Sequence, residues 1–148
     1  MITKWDCRYM KLTQEIAKWS SCYRHDVGCI ITVNNRIVVT GYNGAPAGLE
    51  SCKELGYCFK NKYGIESGPN LCKAVHAEQN ALIQAAQLGI SVKGGILYCT
   101  HFPCNICMKL IINAGIKKIV YKEEYEDNFS KQLLIQSDIE IDRYEEED

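Results

Sequence analysis

Gly95-Ile96-Leu97-Tyr98-Cys99-Thr100-His101-Phe102-Pro103-Cys104-Asn105-Ile106-Cys107-Met108-Lys109-Leu110-Ile111-Ile112-Asn113-Ala114-Gly115-Ile116-Lys117-Lys118-Ile119-Val120-Tyr121 reads as strand, helix, strand. Residues 95–100 form a short apolar run with an aromatic and β-branched bias, as a buried strand requires. Pro103 suits the first turn of a helix, where a missing N–H is not felt, and Gly115 suits its C-terminal end. Residues 117–121 return to β character. Strands joined through a helix belong to one sheet, with the helix packed on its face.

Working outward, residues 27–33 read as a strand, Asn34-Asn35 as a turn and residues 36–42 as its hairpin partner. Trp5, Tyr9, Leu12, Ile16 and Trp19 recur at spacings of 3 and 4, predicting an amphipathic helix over residues 5–19. Residues 43–70 show no clear period and are too long for a plain loop in a compact domain. Residues 74–88 are strongly helix-forming and Gly89 suits the C′ position. A last helix over 128–136 and a short strand over 139–141 complete the order α-β-β-α-β-α-β-α-β. The fold class is α/β: a mixed sheet with helices on both faces, in a single domain spanning 1–148.

The 148 residues are 47% apolar and 24% charged, which excludes disordered and fibrous classes. Seventeen basic and eighteen acidic residues leave a formal net charge of −1, no footprint for stable nucleic-acid binding. No apolar run is long enough for a membrane helix, and the N-terminus lacks the pattern of a secretory signal, so a cytoplasmic protein is expected. Nine cysteines are the outlier. Reducing conditions disfavour a disulfide framework, and the odd count leaves at least one thiol unpaired, so metal binding is the first reading.

His76-Ala77-Glu78 lies near the start of one predicted helix and Pro103-Cys104-Asn105-Ile106-Cys107 at the start of another. Two cysteines three apart share a helix face, and a helix N-terminus favours the thiolate that binds metal. A lone CxxC would serve equally as a redox pair or as half of a structural zinc site. With His76 as third ligand, the set leaves one zinc position open to water, the pattern of a catalytic site. Glu78 then stands beside that position as a proton shuttle rather than a ligand. The combination H-x-E … P-C-x-x-C is the signature of zinc-dependent deaminases.

On these motifs the chain resembles the cytidine deaminase superfamily, and within it the deoxycytidylate (dCMP) deaminases. The resemblance runs over about residues 13–125. It also rests on Val27-Gly28-Cys29-Ile30-Ile31, Gly41-Tyr42-Asn43-Gly44-Ala45-Pro46, His76-Ala77-Glu78-Gln79-Asn80-Ala81 and Ile111-Ile112-Asn113-Ala114-Gly115-Ile116-Lys117. It implies a three-layer α/β/α cytidine deaminase-like fold with a five-stranded mixed sheet. It also implies hydrolysis of dCMP to dUMP and ammonia, supplying dUMP for thymidylate synthesis. Glu78 would take the proton of the attacking water, deliver it to N3 and later protonate the departing amino group. A homo-oligomer, often a hexamer, activated by dCTP and inhibited by dTTP, is implied in the same way.

Further site residues carry weaker signals. By resemblance, Asn43 in the Gly-Tyr-Asn-Gly turn binds the nucleotide sugar or phosphate; the plain alternative is an Asn tolerated in a left-handed turn. Gly41 and Gly44 read as turn formers. Arg24 and Tyr125 are candidates for the 5′-phosphate, against the bland readings of a surface Arg and a packed Tyr. The Ala77 backbone is a candidate reader of the base edge. Cys22, Cys52, Cys58 and Cys72 would suit a second, structural zinc ordering the 43–73 segment, although separate thiols remain the alternative. Cys29 and Cys99 fall within strands, as small buried hydrophobes. The rival functions are a transfer-RNA adenosine deaminase, another cytosine nucleotide or nucleoside deaminase, and a non-catalytic zinc module.

Overall fold

The computed structural model describes residues 1–62 and 72–147. Five strands form one mixed sheet: β1 (Gly28–Val33), β2 (Arg36–Tyr42), β3 (Ile96–His101), β4 (Lys118–Glu123) and β5 (Glu140–Arg143), in the order β2-β1-β3-β4-β5. β1 runs antiparallel to β2 and β3, whereas β3, β4 and β5 are parallel. The parallel half follows from its connections, because β3 reaches β4 through helix α5 (Asn105–Asn113) and β4 reaches β5 through α6 (Asn128–Gln136). The antiparallel half starts with a two-residue turn. Asn34 and Asn35 both take positive φ, 51° and 60°, the geometry that matches the twist of a hairpin.

Strand alternation divides the core. Cys29 and Ile31 of β1, Leu97 and Cys99 of β3, and Ile119 and Tyr121 of β4 share one face with α4 (Ala77–Leu88), α5 and α6. Ile30, Tyr98 and Val120 point the other way, against Tyr9, Met10 and Ile16 of α1 (Lys4–Ala17). The result is the expected three-layer α/β/α arrangement.

Helix α1 departs from the stripe read in sequence. Trp5, Leu12 and Trp19 are largely exposed, and Asp6, Tyr9, Met10, Thr13, Ile16 and Ala17 are buried instead. Close packing explains the rotation. A Cβ on Gly28 would overlap the Thr13 carbonyl oxygen and lie 2.7 Å from the Ala17 nitrogen, so small residues of α1 meet β1 where a Trp would not fit. Polar burial explains the rest. Asp6 accepts from Tyr98 OH (2.7 Å) and Lys118 Nζ (3.0 Å), while capping its own helix with Thr3.

The 43–73 segment contains two short helices, α2 (Cys52–Leu55) and α3 (Phe59–Lys62), too short to show a period. Ser51 caps α2, and Lys53 ties it to the 20–21 segment through Ser21 O (3.2 Å) and Ser20 O (2.6 Å). Part of the segment read as an unexplained loop, 63–71, lies outside the described residues.

Candidate active site

The site is built on the N-termini of α4 and α5, which lie on the same face of the sheet. His76 is the N-cap of α4, with its backbone N–H bonded to Gln79 Oε1 (2.8 Å). The helix itself starts at Ala77, three residues later than the start read in sequence, which places His76 at the helix mouth with Ala77 and Glu78 in the first turn. Gly41 makes room. It lies within β2 rather than in a turn, and a Cβ there would overlap the Ala77 carbonyl oxygen and lie 2.6 Å from the Ala81 nitrogen. Glycine at this position lets the strand press against the first turn of α4.

Cys104 is the N-cap of α5, with Cys107 three residues on. Pro103 thus precedes the cap. Its carbonyl accepts from the buried Ser130 Oγ (2.7 Å), while Asp127 takes the Asn105 N–H (2.8 Å) and its side-chain amide (3.0 Å) on Oδ2. The other oxygen of Asp127 caps α6 through the Ser130 N–H (2.9 Å). One carboxylate therefore joins the starts of α5 and α6 and fixes the turn that carries Cys104.

Nδ1 of His76 lies 3.3 Å from Cys107 Sγ and 3.5 Å from Cys104 Sγ. Tetrahedral zinc with Zn–S of ~2.3 Å and Zn–N of ~2.0 Å separates nitrogen and sulfur ligands by roughly 3.5 Å, so the donor set and spacing fit zinc. The three ligand atoms lie within 4.8 Å of one another. Among the described residues Cys22, Cys52, Cys58 and Cys72 form no such group. Cys52 and Cys58 are buried, Cys22 half-buried with its sulfur accepting from the Arg24 N–H (3.4 Å), and Cys72 exposed. All nine cysteines are free thiols.

The electrostatics match the geometry. A hydrogen bond from Cys107 and the neighbouring His76 hold the Cys104 thiol down to about 4, while the same pairing and burial push Cys107 far up. The bond to Cys104 raises His76. Burial raises the Glu78 carboxyl above the ordinary range, although its own backbone N–H and Cys107 pull the other way. Glu78 is 5% exposed. A carboxyl group so placed holds and releases a proton closer to neutrality than an exposed one.

The remaining candidates are spread around this centre. Tyr125 is half-exposed, and burial and the charges of Cys104 and Asp127 raise its hydroxyl. Asn43 is buried. Its Oδ1 accepts from the Val27 N–H (2.9 Å) and its Nδ2 donates to His25 O (2.9 Å), so the side chain fastens the 25–27 loop to the end of β2. Arg24 is exposed and meets Asn61 Oδ1 at 3.4 Å. His101, with Nδ1 2.9 Å from Thr100 Oγ1, is lowered by burial and by the charge of His25. An apolar depression of about 710 Å³ between α4 and α5, lined by Leu82, Ile83, Ala86, Val92 and Leu110 among others, holds no titratable group.

Sequence reasoning did not reach Cys99, whose Sγ lies 3.5 Å from Glu78 Oε1, because cross-element contacts have no spacing signal. The bridging role of Asp127 was half legible, since Asp three residues before Ser is a helix-cap pattern.

The α/β/α sandwich thus carries a His-Cys-Cys group at two helix mouths, with a buried glutamate in the first turn of one of them. The chain belongs to the family described as cytidine and deoxycytidylate deaminase zinc-binding region, whose model matches residues 3–123. It is 36% identical over 143 residues to the deoxycytidylate deaminase of Schizosaccharomyces pombe, covering 95% of this chain and 44% of that protein. The chain thus spans less than half the length of that relative. It is also 36% identical over 124 residues to the deoxycytidylate deaminase of Mycobacterium phage D29, covering 81% of this chain and 95% of that one. The crystal structure of the dCMP deaminase from cyanophage S-TIM5 in complex with dCMP and dUMP superposes with a TM-score of 0.80 at 34% identity, covering 97% of this chain and 99% of that one.

Proposed function

We propose that this chain catalyses the hydrolytic deamination of dCMP, taking up one water and releasing dUMP and ammonia. The observation that carries the reading is the placement of buried Glu78 one turn-start away from a His76–Cys104–Cys107 set whose donor atoms lie within 4.8 Å of one another. The likeness to a dCMP deaminase bound to dCMP and dUMP over 97% of the chain supports the choice of substrate.

The chemistry that zinc supplies when held by three such ligands is a water acidic enough to yield hydroxide near pH 7. Glu78 accepts the proton of the attacking water, passes it to N3 of the ring, and protonates the amino group as it leaves C4. The raised pKa of Glu78 suits a group that must both take and give a proton. The Ala77 N–H, in the first turn of α4 where backbone donors lack an intrahelical partner, is assigned to the base edge. Asn43 keeps one N–H and one lone pair beyond its two loop bonds, which we assign to the sugar. Arg24 and Tyr125 are assigned to the 5′-phosphate. One zinc per chain, a homo-oligomeric state and control by dCTP and dTTP belong to the same proposal. Among the described residues no helix is long and apolar enough to cross a membrane.

Ammonia release from zinc-loaded protein tests the reading, with dCMP, CMP and deoxycytidine compared in the presence and absence of dCTP. Turnover confined to dCMP is expected. Equal turnover of deoxycytidine removes Arg24 and Tyr125 from the phosphate, and no turnover of any of the three removes the reading.

A further inference from the structure

The buried thiol of Cys99 is the other feature of the active site that the mechanism leaves without a task. Cys99 is fully buried in β3, which is paired on both sides, with β1 and β4, so its position is fixed by the centre of the sheet. Its Sγ approaches Glu78 Oε1 at 3.5 Å in a buried setting. Cys29, also fully buried, sits directly across from it on β1, in register. Burial raises both thiols, so each keeps its proton.

Glu78 reaches the site through a flexible side chain at the start of a helix, and a buried carboxylate needs donors to hold it in one conformer. The Cys99 thiol meets it at 3.5 Å, and Cys107 acts on it electrostatically. Cys107 is a metal ligand, and a sulfur that ligates zinc does so as thiolate and has no proton to donate. Cys99 is not among the ligands, and its S–H persists whether or not metal is bound.

We infer that Cys99 is a positioning residue for the proton shuttle: its S–H donates to Glu78 Oε1 and holds the carboxylate in the orientation that faces the attacking water. The inference rests on the deaminase reading for its kinetic consequence, but not for its structural one. A weak donor bonded to an ionised acceptor is stronger than its neutral counterpart, and misplacing a catalytic group by a fraction of an ångström is costly in rate.

Cys99→Val removes the donor and adds about one methyl group of volume, and Cys99→Ser restores a donor. With zinc content and melting temperature matching the parent, Cys99→Val is expected to lower kcat on dCMP roughly tenfold with KM within about twofold, and Cys99→Ser to recover most of the loss. Crystal structures of the zinc-loaded parent and Cys99→Val are expected to show the Glu78 carboxylate displaced in the variant. Parent-like kcat in Cys99→Val, or an unmoved carboxylate, overturns the inference. If the parent itself turns over none of the three substrates, the deaminase reading fails, and the carboxylate position alone decides the role of Cys99.

Discussion

The roles proposed for Glu78 and for His76, Cys104 and Cys107 can be separated by single substitutions. Glu78→Gln keeps the shape and removes the proton-carrying oxygen, and the ligand set does not include Glu78. Ammonia release is therefore expected to fall by about 10²–10⁴ while zinc content stays at the parent value. A variant that retained near-normal turnover would remove Glu78 from proton transfer. The ligands behave in the opposite way. Cys107→Ser or His76→Ala is expected to lose zinc as well as activity, read by elemental analysis after dialysis. Chelation is expected to lower stability too, because metal at a hundredfold excess over its Kd stabilises the folded state by about 2.7 kcal/mol. An unchanged melting temperature after complete zinc removal would mean that zinc does not bind the folded state in preference to the unfolded one. These residues were all legible in the sequence, since H-x-E and P-C-x-x-C are local patterns with a chemical reason for their spacing. Cys99 was not, because its link to Glu78 depends on how β3 packs under α4, and nothing in the order of residues states that contact.

At the scale of elements, the helix mouths matter more than the helices. Asp127 receives the Asn105 N–H on one oxygen and the Ser130 N–H on the other, and these bonds hold its carboxyl below the usual range despite burial. Asp127→Ala uncaps α6 and loosens the start of α5 at once, so a loss of about 1–2 kcal/mol is expected from urea unfolding, accompanied by weaker zinc retention. Stability lost with zinc affinity unchanged would confine Asp127 to capping. Gly41→Ala acts from the opposite side. A methyl group there pushes against the Ala77 carbonyl and forces the first turn of α4 away from β2, so activity is expected to fall more steeply than stability. The hairpin, the strand–helix–strand unit and the C-terminal helix could be read from turn chemistry and periodicity, because each is decided within a few neighbours. The face of α1 could not. Trp5 of α1, and Trp19 just past its C-terminal end, lie outside the core, and at Gly28 the helix presents only the small surface around Thr13 and Ala17. A close approach between two backbones outweighed the hydrophobic pattern.

For the whole molecule, the layer on which the site does not sit is held by a buried charge network that no periodicity announces. Lys118 of β4 pairs with Asp6 of α1 at 3.0 Å and with Asp142 of β5 at 3.2 Å, while Tyr98 of β3 donates to Asp6. Asp142 also accepts from the N-terminal amine at 2.9 Å. The network thus fastens α1 across β3, β4 and β5. Buried groups of this kind are worth little against apolar replacements of equal size, but removing Asp6 leaves Lys118 with Asp142 alone and Tyr98 without its acceptor, at a cost of about 3 kcal/mol. Asp6→Ala is therefore expected to lower the melting temperature by roughly 10 °C. The pH dependence distinguishes this from lost packing. Asp6 is held below its ordinary value of 3.8, the bonds from Thr3, Tyr98 and Lys118 outweighing burial. Its contribution is accordingly complete above the unfolded value and is lost as pH falls through the lower, folded one. Lys118 is raised, since the bonds to Asp6 and Asp142 outweigh its desolvation, so its share is complete below the unfolded value and is lost as pH rises through the folded one. Urea midpoints of the parent and Asp6→Ala are expected to differ by a constant amount from about pH 5 to pH 9, with the gap narrowing below about pH 4. A gap that persists undiminished at pH 3 would mean that the ion pairs contribute nothing to the stability of the fold and that Asp6 matters only for the space it fills.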